Sequence, residues 1–136
     1  SEMCIRDSHN HVKNSVVYPG THDNTTITAW WESAATPKEK ATAAAYLHLT
    51  GAHPTAKEVA AVKTAAARTA LLRAALGSVA DRAIIPMYDW LGLGEEAHLN
   101  TPGKLGGNWA WRAAAGFESK TLAKTIADEC SVYCRV

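Results

Sequence analysis

Two short apolar runs set the terms for any fold of this chain. Ser15-Val16-Val17-Tyr18 and Ala83-Ile84-Ile85-Pro86-Met87-Tyr88 are rich in β-branched and aromatic residues and read as buried strands. The long stretch between them reads as helix. Strands joined by a helical crossover run parallel, whereas antiparallel neighbours need only a tight turn. The fold class is therefore α/β. Two strands cannot close a barrel or form a parallel sheet covered on both faces. The 136 residues accordingly read as two βα units of something larger.

The remaining elements come from local chemistry. Pro19-Gly20 ends the first strand in a turn, and the polar string Thr21-His22-Asp23-Asn24-Thr25-Thr26 lies in the loop just past it. Trp30 and Trp31 fall on a short helix. Thr36-Pro37, with Glu39 in the first turn, opens a helix expected to reach about Leu49 and stop before Gly51. Thr55-Ala56-Lys57-Glu58 is a capping box, predicting one helix to a C-terminal cap at Gly77, with a stripe of Val59, Val62, Ala66 and Ala70. After the second strand, Asp89 to Gly94 reads as a Gly-punctuated loop. Asn100 to Arg112 is Gly-rich, aromatic and without period, the pattern of a functional loop. Ser119 begins a last helix, Thr121 to about Cys130, with Leu122, Ala123 and Ile126 toward the core. Hydrophobic residues make up 47%, but with Ala the commonest and a single Phe, each buries little area.

Charge and cysteine narrow the function. A formal charge of +1 with no like-charge block excludes the electrostatic footprint of a nucleic-acid binder. No apolar run is long enough to span a membrane, and no signal-peptide pattern is present. Cys4, Cys130 and Cys134 form no C-x-x-C pair, and a reduced, cytoplasmic setting is expected. Ser1 to Ser8 lack periodicity and join abruptly to the segment beginning at His9, so they read as a foreign segment outside the 9–136 domain.

Several constellations bear on chemistry. His22-Asp23, an imidazole beside a carboxylate at the end of a buried strand, sits where α/β folds place ligands; the plain alternative is a capping Asp and a surface His in a turn. His9, His11 and His22 offer a metal set only by combining distant segments, and solvated histidines account for them better, so no metal is assigned. Trp30-Trp31 and Trp109-Ala110-Trp111 are sugar-stacking candidates, the first pair more naturally core. Phosphate-loop, dinucleotide and serine-hydrolase motifs are missing, and no cofactor is implied.

Four segments carry a resemblance. Asn14-Ser-Val-Val-Tyr-Pro-Gly-Thr-His-Asp-Asn-Thr-Thr26 resembles the N-S-V-V-Y-T-G-T-H-D-N-D-T segment of the 4-α-glucanotransferases, also called amylomaltases or disproportionating enzymes. Ala83-Ile-Ile-Pro-Met-Tyr-Asp-Trp-Leu-Gly-Leu-Gly94 resembles the family's next strand, and Asn100-Thr-Pro-Gly103 with Gly107-Asn-Trp-Ala-Trp-Arg112 resembles the closing signature. The likeness runs from His9 to about Arg135 in order and spacing. It implies a (β/α)8 TIM-type barrel of which this chain is the C-terminal two βα units, incomplete by itself. It implies transfer of an α-1,4-glucan segment to a sugar acceptor by retaining double displacement, on maltooligosaccharides or starch- and glycogen-derived glucans.

Carried over residue by residue, the resemblance makes Asp23 the transition-state-stabilising carboxylate and His22 a hydrogen-bonding partner of the sugar in the −1 subsite. Asn24, Asn100 and the Pro102-Gly103 backbone would line the groove, with Trp109 supporting that loop. Thr25 stands where the family usually has Asp, Pro19 where it has Thr, Tyr88 where it often has Gln, and His98 where it often has Arg. No segment matches the family's nucleophilic Asp or acid/base Glu, and Asp81, Glu95 and Glu96 are not assigned those roles. A non-catalytic carbohydrate-binding module using the Trp-rich loop is the alternative.

Overall fold

The structure, a computed structural model, describes residues 10–136. The foreign reading of Ser1–Ser8, together with Cys4 and His9, falls outside the described residues.

Strands β1 (Val16–Val17) and β2 (Arg82–Ala83) pair in parallel, with Val16 opposite Arg82 and Val17 opposite Ala83. The ladder is extended by the Asp81 amide donating to the Lys13 carbonyl at 2.8 Å and the Ile84 amide donating to Val17 at 2.9 Å. The second strand is shorter than expected and ends before Met87-Tyr88. Pro86 has no N–H to continue a ladder, and its carbonyl instead accepts from the Asp89 amide at 3.1 Å. That bond starts helix α5 (Met87–Leu91), so Asp89 lies inside a helix and not in a loop.

The crossover contains five helical pieces. Helix α1 (Ile27–Ala29) is capped by the Thr26 hydroxyl, which accepts from the Ala29 amide at 3.1 Å, and runs directly into a π-turn over Trp30–Ala34. Helix α2 (Pro37–Tyr46) starts with a full capping box between Thr36 and Glu39. It stops earlier than predicted, because His48, not Gly51, takes the left-handed conformation (φ 56°) that lets the Leu49 amide close back on Ala44.

The expected single helix from Thr55 to Gly77 is two. Helix α3 (Ala56–Ala61) has the predicted Thr55/Glu58 box, then Val62 and Lys63 turn extended (ψ 116° and 141°) before helix α4 (Thr64–Leu76), which ends at Gly77. The break swings Val62 onto a cluster of Trp31, Ala43, Ala44 and Ala67. The predicted stripe is consequently not the buried face: Ala66 is exposed, and α4 buries Ala67, Leu71, Leu72, Ala75 and Leu76.

The abundant Ala has a use in this packing. Ala43, Ala44 and Ala67 are at most 1% exposed and let α2 and α4 close around the Trp31 ring. Burying a side chain of that size stabilises by on the order of 4 kcal/mol. Val17, Ala75 and Ala80 form a second cluster beneath the sheet, and Ile27, Leu71 and Leu72 a third, with Trp90 and Ile85 against it. The last helix, α6 (Lys120–Val132), is capped by Ser119 as expected and fully buries no residue. Leu122 and Ile126 face inward, half-buried, whereas Ala123 is exposed, contrary to expectation.

Candidate active site

Because β1 and β2 are parallel, the loops leaving their C-terminal ends emerge at the same end of the sheet. The first is the polar loop after β1. Its shape is set by Asn24, whose side-chain oxygen accepts from the Thr21 amide at 2.8 Å and the Thr21 hydroxyl at 3.0 Å, while the Asn24 amide donates to the Thr21 carbonyl at 3.0 Å. This tight turn presents His22 and Asp23 outward, with side chains 52% and 48% exposed and His22 Nε2 3.3 Å from Asp23 Oδ1. Both remain open to a ligand.

The second segment is laid against the first. The Asn100 amide donates to the His22 carbonyl at 3.1 Å, and Asn100 Nδ2 donates to Asp23 Oδ1 at 2.5 Å. One residue thus grips both the backbone and the carboxylate of the His22-Asp23 pair. The Trp109 amide donates to the Leu99 carbonyl at 2.6 Å, and its indole lies over His22 with ring centroids 4.9 Å apart and planes 39° apart. Trp109 makes that approach from a left-handed backbone (φ 61°).

Between Asn100 and Trp109 the chain turns at Pro102-Gly103. Gly103 has φ 80°, and the Lys104 amide donates to the Thr101 carbonyl at 3.1 Å, the pattern of a type II turn that requires Gly after Pro. Asn108 spans the turn, accepting from the Thr101 amide at 3.0 Å and donating to the Lys104 carbonyl at 2.9 Å. His22, Asp23, Asn24, Asn100 and Trp109 therefore come together, and Pro102-Gly103 forms the exposed tip beside them. Trp111 packs edge-on against Tyr88 at 6.0 Å, and Trp31 is buried in the core. Among the described residues no group of three His, Cys, Asp or Glu side chains is placed to hold a metal, and no helix is long and apolar enough to cross a membrane.

Three supporting residues carry no such role in the sequence reading. Asn108 and Asp89 lie inside the family-like segments but are assigned no role there. Asp89 is 2% exposed and accepts from the Ile27 amide at 2.9 Å, anchoring the helix that comes after the His22-Asp23 loop. Burial raises its carboxyl to about 6, against the opposing pull of the Ile27 amide and Arg68. Burial also raises the Tyr88 phenol to about 12, with Asp89 adding to the effect. Glu95 links two loops: its carboxylate accepts from the Thr25 hydroxyl and meets His98 Nδ1 at 2.8 Å. Its i,i+3 spacing from His98 is the one hint that the sequence offers.

A family model described as 4-alpha-glucanotransferase matches residues 2–118. The chain belongs to the 4-alpha-glucanotransferase family. The chloroplastic/amyloplastic 4-alpha-glucanotransferase of Arabidopsis thaliana is 40% identical over 94% of this chain, which corresponds to 20% of that relative. The Clostridium butyricum 4-alpha-glucanotransferase is 35% identical over 93% of the chain and 24% of its own length. The amylomaltase of Streptococcus agalactiae, solved in complex with acarbose, superposes with a TM-score of 0.77 at 27% identity, over 96% of this chain and 24% of that one.

The chain thus spans between a fifth and a quarter of these 4-alpha-glucanotransferases. The family match starts at Glu2, inside the segment that sequence alone set apart as foreign. Plant relatives named for the chloroplast stand beside bacterial ones, so family membership does not by itself fix a compartment. The matches are to transferases, and nothing in them supports a free-standing carbohydrate-binding module.

Proposed function

We propose that this chain supplies the last two βα units of a (β/α)8 barrel that transfers α-1,4-glucan segments to a sugar hydroxyl. In the retaining reaction, a carboxylate attacks the anomeric carbon as an acid donates a proton to the departing glucan oxygen. An acceptor hydroxyl then displaces the glycosyl ester while the same acid, now a base, takes its proton. Those two groups belong to strands outside this chain. Asp23 contributes a negative charge near the oxocarbenium-like transition state and accepts from sugar hydroxyls. His22 donates to the sugar in the −1 subsite, while Asn24, Asn100 and the Pro102-Gly103 turn line the groove and Trp109 backs it.

The observation that carries this reading is the Asn100–Asp23 bond of 2.5 Å, made between the loop after β1 and the segment that follows β2, α5 and the Glu95–Ala97 turn. A carboxylate held by an amide donor keeps its direction, which is what pre-organised stabilisation of a developing cation requires.

The test is a chimera in which this chain replaces the matching quarter of the Clostridium butyricum enzyme, assayed by glucose release from maltotriose. The chimera should disproportionate maltotriose, and Asp23→Ala should lower kcat by roughly 10²–10³-fold. The 136-residue chain assayed alone should release no glucose. An active isolated chain, or a chimera indifferent to Asp23→Ala, would refute the reading.

A further inference from the structure

We propose that Glu95 is a positioning residue for the Asp23 site, acting as a carboxylate latch that ties the Thr25 end of the first loop to the His98 turn carrying Asn100. The inference deepens the proposed glucan-transfer function and rests on it.

The latch is built from three side chains on two loops. Glu95 opens a single 3-10 turn (Glu95–Ala97), and the chain then passes through His98 and Leu99 to Asn100. The Glu95 carboxylate accepts from the Thr25 hydroxyl through one oxygen and meets His98 Nδ1 at 2.8 Å through the other. Thr25 lies two residues after Asp23, and His98 two residues before Asn100. The pair that must meet at 2.5 Å is therefore bracketed by a second tie. The other ties between the two segments are the Asn100–His22 backbone bond and the Trp109–His22 ring contact, and neither involves the Thr25 end of the first loop.

Three further observations point the same way. The His98 ring is only 11% exposed although Glu95 is 66% exposed, so the imidazole is tucked in while its partner faces outward. His98 Nε2 is buried with no hydrogen-bond partner among the described residues, leaving Glu95 as the group that orients the ring. The Thr25 hydroxyl, followed by His98, holds the Glu95 carboxyl below its ordinary value against the opposing effect of burial. In this chain a hydroxyl and an imidazole are joined through Glu95.

The sharpest test is amide exchange in the 136-residue chain. Glu95→Ala should speed exchange of the Asn100 amide by about tenfold or more, leaving the Leu72 and Ala75 amides of α4 unchanged; equal exchange at Asn100 would overturn the proposal. Glu95→Gln, whose amide can still accept from Thr25 and pair with His98, should restore slow exchange. In the chimera, Glu95→Ala should lower kcat by about tenfold with an unchanged Tm, as misplacement of a site group does. Full activity in Glu95→Ala, in a chimera that Asp23→Ala disables, would sink the latch and leave the proposed function standing. A chimera without activity, together with faster Asn100 exchange, would do the reverse.

Discussion

At the scale of single residues, the most consequential group behind the site is Asp89. Its carboxyl is shut away from water and accepts the Ile27 amide, so the start of α1 depends on an atom contributed from 62 residues away in the chain. Its pKa, raised from an ordinary 3.8 to about 6, makes stability depend on pH in a defined direction. The folded state binds that proton more tightly, so the contribution is fully present below about pH 4 and is lost as pH rises through about 6. Asp89→Asn keeps an acceptor for Ile27 but removes the titration. Its stability relative to the parent should therefore rise between pH 4 and pH 7 by on the order of 1–3 kcal/mol, read from paired denaturant melts. A constant difference across that range would show that Asp89 stays charged. Gly92 is constrained by the same neighbourhood: with φ 71°, any Cβ there would fall 1.9 Å from the Arg68 guanidinium.

At the scale of elements, α6 fully buries no residue and is tied down by named polar contacts. Arg73 makes a two-pronged pair with Glu129 at 2.9 and 2.7 Å, and the Arg135 guanidinium donates to the carbonyls of Leu76, Ser78 and Ala80 at 2.6, 2.9 and 2.9 Å. The second contact closes the C-terminal end of α4, whose last carbonyls have no partner within the helix. Arg135→Ala should destabilise by about 1–3 kcal/mol and speed amide exchange at the end of α4. Glu129→Ala, which breaks a solvent-screened pair, should do distinctly less. The caps at Thr36, Thr55 and Ser119 are legible in the sequence because each is decided within one turn. The break at Val62 is not, because its cause is the Trp31 cluster, assembled from α2, α4 and the π-turn. The run through Met87-Tyr88 reads as strand because its apolar content suits either element, and Pro86 decides between them. In the site, His22 and Asp23 are legible as a polar pair at a strand end, whereas Asp89 is visible through its contact with Ile27, Glu95 through its contact with Thr25, and Asn108 through contacts across its own turn.

At the scale of the whole molecule, the sheet decides the rest. Val16 and Ile84 are 45% and 58% exposed, apolar side chains of the kind that further strands and helices of a barrel would cover. The same two strands aim both site loops to one end, so the site is assembled by the pairing itself. That pairing has a kinetic side. Joining Val16 to Arg82 closes a loop of the whole crossover, an entropic cost that no local contact can offset beforehand. Helices α2 and α4 can form from neighbouring residues, but β1 and β2 can meet only once those helices have shortened the path between them. In pulse-labelled refolding, the amides of α4 should gain protection first and the Ile84 amide, bonded to Val17, in a later phase. Simultaneous protection would contradict that order. The Asn100–Asp23 contact then belongs to the last step of folding, and a chain arrested before it would be largely helical yet have no site at all.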